Sequence, residues 1–160
     1  MLVERAGTGD VGALVELRLD YLRKDHGELD AREARAIREA LPDYFRAHLE
    51  RDLFAYVARE GEAVVACALL LVVEKPMSPS FINGRTGTVL NVYTRPAFRR
   101  RGYGKMIMEA LIGHAREMAL SVVELKATDA GYPLYRAVGF EDDGAKYRAM
   151  KWRLEGEIRN

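Results

Sequence analysis

Apolar positions recur with helical spacing along the first third of the chain. Leu14, Leu17 and Tyr21 share one stripe of a segment that Asp10 can cap and that runs to about Lys24. A second helix is expected from "LDARE", where Asp30 and Glu33 have capping-box spacing and Ala34, Ile37 and Leu41 form the buried face. Pro42 is expected to break or bend it, because proline lacks an amide hydrogen and its ring crowds the preceding turn. "DYFRAHLERD" then continues with Phe45 and Leu49.

From Leu53 the periodicity changes. "LFAYVARE" and "AVVACALLLVVE", separated by Gly61-Glu62, predict two strands around a tight turn. The second is apolar on both faces, as a central strand covered on both sides requires. "KPMSPSFINGRTG" is dense in turn formers and predicts a loop bordering a site; "TVLNVYT" predicts a third strand, which Pro96 helps to end. From about Gly102 to Ala119 a helix turns Ile107, Leu111, Ala115 and Met118 inward and Lys105, Glu109, Arg116 and Glu117 outward. "SVVELKAT" predicts a strand, "YPLYRAVGF" a short helix ending at Gly139, and "AKYRAMKWRL" a last strand. This order implies an α/β or α+β domain, with a right-handed crossover joining the strands that flank the long helix.

Composition narrows the function. At 160 residues, 49% hydrophobic and 31% charged, the chain is expected to form a single domain over 1–160 with one good core. The formal net charge is +1, so a preference for anions has to come from local clustering. Cys67 is the only cysteine, which excludes an internal disulfide and a cysteine-built zinc site; within "AVVACALLL" it reads as a buried apolar residue. "MLVERAGTGD" carries charge where a signal peptide needs an apolar core, and the run Ala63 to Val73 is short of the roughly 20 residues that span a bilayer. A cytoplasmic protein without membrane contact is expected.

The densest chemistry lies in "RPAFRRRGYGK", where five cationic side chains and two glycines join a strand to a helix. A helix N-terminus exposes unpaired N–H groups and the positive end of the dipole, and glycines let an anion come close. Arg99 to Arg101 and Lys105 add charge, so the junction has the form of a phosphate-binding loop. A nucleoside-triphosphate loop would need glycine where Arg99 stands and Ser or Thr where Met106 stands. A dinucleotide fingerprint would need glycine at Ile107. No extended basic face or aromatic-interleaved patch supports nucleic acid, and none is expected as a partner.

"RRRGYG" fits the [Gln/Arg]-x-x-Gly-x-[Gly/Ala] signature, and "PLYRAVGF" the LY-x-x-x-GF element, of the GCN5-related (GNAT) acyltransferases, which this chain resembles over most of its length. The resemblance implies a mixed, mostly antiparallel sheet flanked by helices, with a parallel strand pair around the cofactor. It also implies acetyl-CoA as co-substrate, no metal, and a small-molecule or peptide amine as acceptor. Dimers are common in the family, so a homodimer is among the partner states it allows.

Carried over residue by residue, the loop amides of Arg100, Arg101, Gly102, Tyr103, Gly104 and Lys105 would bind the pyrophosphate, with Arg99 opening the signature. Val92, Tyr93 and Thr94 would pair with the pantetheine arm and polarise the thioester carbonyl. Tyr135 would protonate the departing thiolate; a phenol with an ordinary pKa of about 10 is protonated at neutral pH. Two positions depart from the pattern. Thr128 stands where many members carry the Asn that bonds pantetheine, and Asn91 stands where several place a glutamate base. A neutral amide cannot act as that base but can hold a water or a substrate group. Asp129, Glu124, His26 or water remain as routes for the amine proton, and Asp20, Asp25, Glu28 and Asp30 as charges facing a cationic acceptor. The rival reading is a non-catalytic acyl-CoA-binding or interaction module on the same fold.

Overall fold

The computed structural model describes residues 2–155, and its architecture follows from one sheet of five strands in the order β1-β2-β3-β4-β5. The strands are β1 (Leu2–Arg5), β2 (Leu53–Glu60), β3 (Ala63–Glu74), β4 (Arg85–Thr94) and β5 (Val122–Glu124). Neighbours pair antiparallel except β4 and β5, which run parallel through Thr86–Val122, Gly87–Val123 and Thr88–Glu124. The helices are α1 (Val11–His26), α2 (Ala31–His48), α3 (Tyr103–Glu117) and α4 (Tyr132–Val138). The expected mixed, mostly antiparallel sheet with one parallel pair is therefore present.

Two apolar layers fix the faces. Leu14, Leu17 and Leu19 of α1 and Phe45 of α2 pack with Leu53, Ala55, Val57, Cys67 and Tyr93 on one face of the sheet. Ile107, Met108, Leu111 and Ala115 of α3 pack with Tyr56, Ala66, Ala68, Leu70 and Val89 on the other. β3 contributes to both layers, which is why its sequence is apolar on alternate and intervening positions alike. At Gly87 a Cβ would stand 2.7 Å from Leu70 Cδ1 and 3.0 Å from Leu120 Cδ1, so β3, β4 and the segment entering β5 come together only around a residue without a side chain.

Several expectations are corrected. β1 was not expected; its four residues are mostly exposed, and it forms by edge pairing rather than by burial. α2 passes through Pro42 without a break, because Phe45 and Leu49 beyond it are buried and outweigh a lost hydrogen bond. Asp10 precedes α1 but does not cap it: its carboxylate accepts from the Gly7 amide at 3.0 Å and from Arg59 at 2.8 Å. Asp30 does cap α2, accepting from Arg32 N at 2.8 Å. β4 starts at Arg85, inside the expected loop, and β5 covers only Val122–Glu124 of "SVVELKAT". "AKYRAMKWRL" pairs with no strand among the described residues, and residues 141–155 are exposed throughout.

Candidate functional site

β4 and β5 separate after Thr88 and Glu124, so among the described residues Val89 to Thr94 have no strand partner on that side of the sheet. A bulge in the β3–β4 pairing lies just beyond the separation. Leu69 pairs with Leu90 but Cys67 pairs with Tyr93, so Ala68 faces both Asn91 and Val92. Asn91 takes φ 55°, a left-handed conformation that asparagine tolerates better than most residues. Past the bulge, Arg95 N donates to Val65 O at 2.9 Å. By alternation the main-chain groups of Val92 and Thr94 turn away from β3, toward the opening.

The strand then enters α3 through a loop with two left-handed residues, Arg100 at φ 63° and Gly102 at φ 85°. Gly102 occupies the N-cap of α3, and the first amide bonded within the turn is Met106 N, which donates to Gly102 O at 3.1 Å. Among the described residues, the amides of Arg100 to Lys105 meet no acceptor. They form a run of donors at the positive end of a four-turn dipole, beside the mouth of the gap.

Most of the cationic side chains of this loop face the protein itself. Arg99 Nε donates to Thr94 O at 2.9 Å, and its guanidinium lies 5.5 Å from the Tyr93 ring centroid. Arg101 Nη1 donates to Glu60 Oε1 at 3.1 Å and stacks on Phe98. The buried Tyr103 also donates its hydroxyl to Glu60. Lys105 lies 3.9 Å from Glu109, an exposed pair of small energetic weight. Arg100 is exposed and, among the described residues, has no side-chain partner. The run thus anchors the loop to β2 and β4, and the main chain supplies the donors for an anion.

The two glycines differ in kind. A Cβ on Gly102 would meet nothing within 4 Å, so its requirement is conformational. A Cβ on Gly104 would stand 3.0 Å from Leu134 Cδ2, so its requirement is the close approach of α4 to α3. On the same helix Tyr135 is partly buried against the core that α3 shares with the sheet. The Tyr135 ring lies edge-on to Phe140 at 6.0 Å, and a Cβ on Gly131 would touch it at 3.0 Å. Burial, then the neighbouring Tyr21 phenol, push the Tyr135 phenol above its ordinary pKa and hold it protonated. Thr128 Oγ1 accepts from Gly131 N at 3.1 Å, so this side chain shapes the turn that launches α4.

On the other side of the opening Asn91 is 4% exposed. Its Nδ2 donates to Cys67 Sγ at 3.4 Å and its Oδ1 accepts from Arg18 Nη1 at 3.3 Å. Arg18 also lies 5.9 Å from the Tyr21 ring centroid and, among the described residues, has no carboxylate partner. Reading the sequence alone missed Arg18, although a signal was there: it shares the buried stripe of α1 with Leu14 and Tyr21, where an arginine is out of place. Cys67 is buried, and desolvation pushes its thiol up to about 12.

The remaining sequence candidates stay outside this cluster. His26 ends α1 on the surface, paired with Asp25 at 3.4 Å. Asp129 is exposed in the loop before α4, and Glu124 is exposed with Lys75 at 3.6 Å. Asp20 is taken by Arg23 and Arg95, both at 3.4 Å. Among the described residues no group of three or more metal-ligating side chains converges, and no helix is long and apolar enough to cross a membrane.

Comparison with known proteins agrees with this geometry. Residues 13–140 match the model of the acetyltransferase (GNAT) family. A predicted acetyltransferase from Clostridium acetobutylicum, solved with acetyl-CoA, is 25% identical and covers 94% of this chain and 95% of its own, with a TM-score of 0.82. A GCN5-related N-acetyltransferase from Ralstonia eutropha JMP134 is 26% identical, covers 93% and 97%, and has a TM-score of 0.78. A curated relative, the uncharacterized N-acetyltransferase ycf52 of Porphyra purpurea, is 33% identical over 70 residues. That match spans 44% of this chain and 40% of the relative.

Proposed function

The chain belongs to the acetyltransferase (GNAT) family, and from that premise we propose that it moves an acetyl group from acetyl-CoA to a primary amine by direct attack, working as a single domain. One observation carries the reading: a run of unpaired amides from Arg100 to Lys105 opens beside the gap between β4 and β5. The coenzyme's pyrophosphate would accept from those amides. Its pantetheine arm would lie along the free edge of Val92, Tyr93 and Thr94, with a main-chain N–H of β4 polarising the thioester carbonyl.

The amine lone pair then attacks the carbonyl carbon, the C–S bond breaks, the thiolate takes the phenolic proton of Tyr135, and the surplus proton on the new amide nitrogen returns to the tyrosinate. Holding thioester and amine in contact supplies most of the rate. Cys67 is buried and its thiol is pushed up to about 12, which favours direct transfer over an acetyl-cysteine. His26, Glu124 and Asp129 are all exposed, so the ammonium proton leaves to water. Arg18 places positive charge beside Asn91, and Asp20 is neutralised by Arg23 and Arg95. An acceptor whose amine adjoins a neutral or anionic group fits that charge better than a diamine.

The test is calorimetric titration with acetyl-CoA followed by steady-state release of free CoA over a panel of primary amines, amino acids and diamines included. Binding with amine-dependent release supports the reading. Binding without release for any amine would leave the non-catalytic module, and failure to bind would remove the coenzyme from the account.

A further inference from the structure

Arg18 carries a charge that folding does not spend. It is half-buried on α1 and, among the described residues, has no carboxylate within ion-pair distance. Asp20 and Asp25 on the same helix, and Asp52 before β2, are each paired with another basic side chain. The one hydrogen bond of the Arg18 side chain among the described residues runs from Nη1 to Asn91 Oδ1 at 3.3 Å, so most of a five-donor guanidinium is unmet. Taking such a group partly out of water without an anion is unfavourable, and an arriving anion relieves that cost.

Asn91 is the reason the charge survives. Its Nδ2 is fixed on Cys67 Sγ at 3.4 Å, which turns Oδ1 toward Arg18 where α1 packs on β4. A carboxylate at position 91 would neutralise the guanidinium; the amide bonds it and leaves its charge in place. Position 91 directly precedes Val92, whose main chain the thioester would meet. Arg18 also lies 5.9 Å from the ring centroid of Tyr21, and the Tyr21 phenol is close enough to act on that of Tyr135, after burial the second cause of its raised pKa. The cation therefore stands beside the groups that the reaction would use. We infer that Arg18 binds a carboxylate of the acceptor, so that the amine acetylated belongs to a small amino acid; the inference rests on the acetyl-transfer reading.

The chemistry selects a carboxylate among anions. A guanidinium offers paired N–H groups in one plane, the arrangement that a planar carboxylate accepts with two parallel bonds. One cation balances one carboxylate, whereas a phosphate monoester brings nearly two negative charges. Holding the carboxylate fixes the acceptor at one end and leaves its amine to meet the thioester. Arg18 thus acts by binding and orientation and takes no proton.

The test compares α- and β-amino acids with their own primary amides, glycine with glycinamide and β-alanine with β-alaninamide among them, and adds O-phosphoethanolamine as the phosphate arm. The amine of an amino amide is the less basic and so the more available at neutral pH, which leaves binding as the source of any preference for the acid. The full-length wild type should favour the acid in kcat/KM by about 10- to 150-fold, mostly through KM, the range of a charge-assisted hydrogen bond. Asn91→Asp keeps the shape of the side chain and tolerates the φ of 55°, and it should erase the preference by neutralising Arg18. Arg18→Gln should erase it too, and Arg18→Lys should retain part of it. Equal kcat/KM for acid and amide in the wild type, a preference that survives in both charge variants, or a higher kcat/KM for the phosphate would overturn the inference. Calorimetric titration of the protein, with and without CoA, using N-acetylglycine and N-acetylglycinamide needs no turnover and so separates this failure from that of acetyl transfer. Acid-selective binding without CoA release from any amine would remove the transferase reading and keep the carboxylate anchor; equal binding would remove the anchor whatever the rates.

Discussion

Replacing Gly102 by alanine should weaken the fold and the grip on acetyl-CoA for a single conformational reason. Gly102 caps α3 at φ 85° and ψ 6°. Because an added Cβ meets nothing within 4 Å, packing does not oppose the methyl group. The cost lies in the backbone, where an L-residue in the left-handed region is disfavoured by about 1–2 kcal/mol. For a chain of this length that lowers Tm by roughly 2–8 °C. If the loop relaxes to escape the strain, the amides around it turn and a hydrogen bond to phosphate is lost. Such a bond is worth about 1.5–3 kcal/mol, or on the order of 10- to 150-fold in Kd.

Thermal unfolding without ligand reads the first effect, and calorimetric titration with acetyl-CoA reads the second. Two controls isolate the cause. Gly102→Asn should lose less, since asparagine adopts the left-handed region more readily. Gly113→Ala lies in the same helix, where a Cβ also meets nothing and φ is not positive, and should be neutral or slightly stabilising. Unchanged Tm and Kd for Gly102→Ala would refute the argument, as would equal losses at Gly102 and Gly113.

Tyr135→Phe should lower turnover by about 10²–10⁴-fold in a chemistry-limited assay while leaving the Kd for acetyl-CoA nearly unchanged; an unaltered rate would mean another acid serves. Because burial and Tyr21 raise this phenol, the wild-type rate should not decline on its account until the pH exceeds about 10. His114 governs a separate pH effect. Its Nε2 accepts from Arg5 at 2.7 Å, so the ring is neutral and Nδ1–H donates to Tyr56 at 2.6 Å. Burial, then the Arg5 charge, hold its pKa below the ordinary 6.5. The unfolded chain therefore binds the proton first: stability is complete above about pH 6.5 and declines as the pH falls toward the folded pKa. Tm measured between neutral and mildly acidic pH should fall more steeply for wild type than for His114→Gln, and parallel slopes would dismiss the linkage.

The stripe Ile107–Leu111–Ala115 and the two-sided apolar run of β3 were legible in the chain because helical and extended periods are written in consecutive side chains. The glycine at the start of α3 and the "LY" element of α4 were legible for the same local reason. The partners were not. Arg101 reads as a phosphate ligand until folding brings Glu60, 41 residues earlier, to within 3.1 Å. Arg99 likewise reads as loop charge until it turns back on Thr94. Asn91 was visible as a neutral amide in place of a base, but its bonds to Cys67 and Arg18 depend on a bulge and on α1 packing across the sheet.

The extent of pairing also escaped the sequence. "SVVELKAT" and "AKYRAMKWRL" both have strand character, yet β5 keeps three residues and the second segment none. A strand's period says which side chains would share a face; whether a ladder forms depends on a neighbour at the right edge. The sequence alone therefore determined the elements and the donor-rich helix start. Tertiary structure decided which charges are spent inside the protein, where the sheet opens and which edge is left unpaired, because those outcomes depend on contacts between residues far apart in the chain.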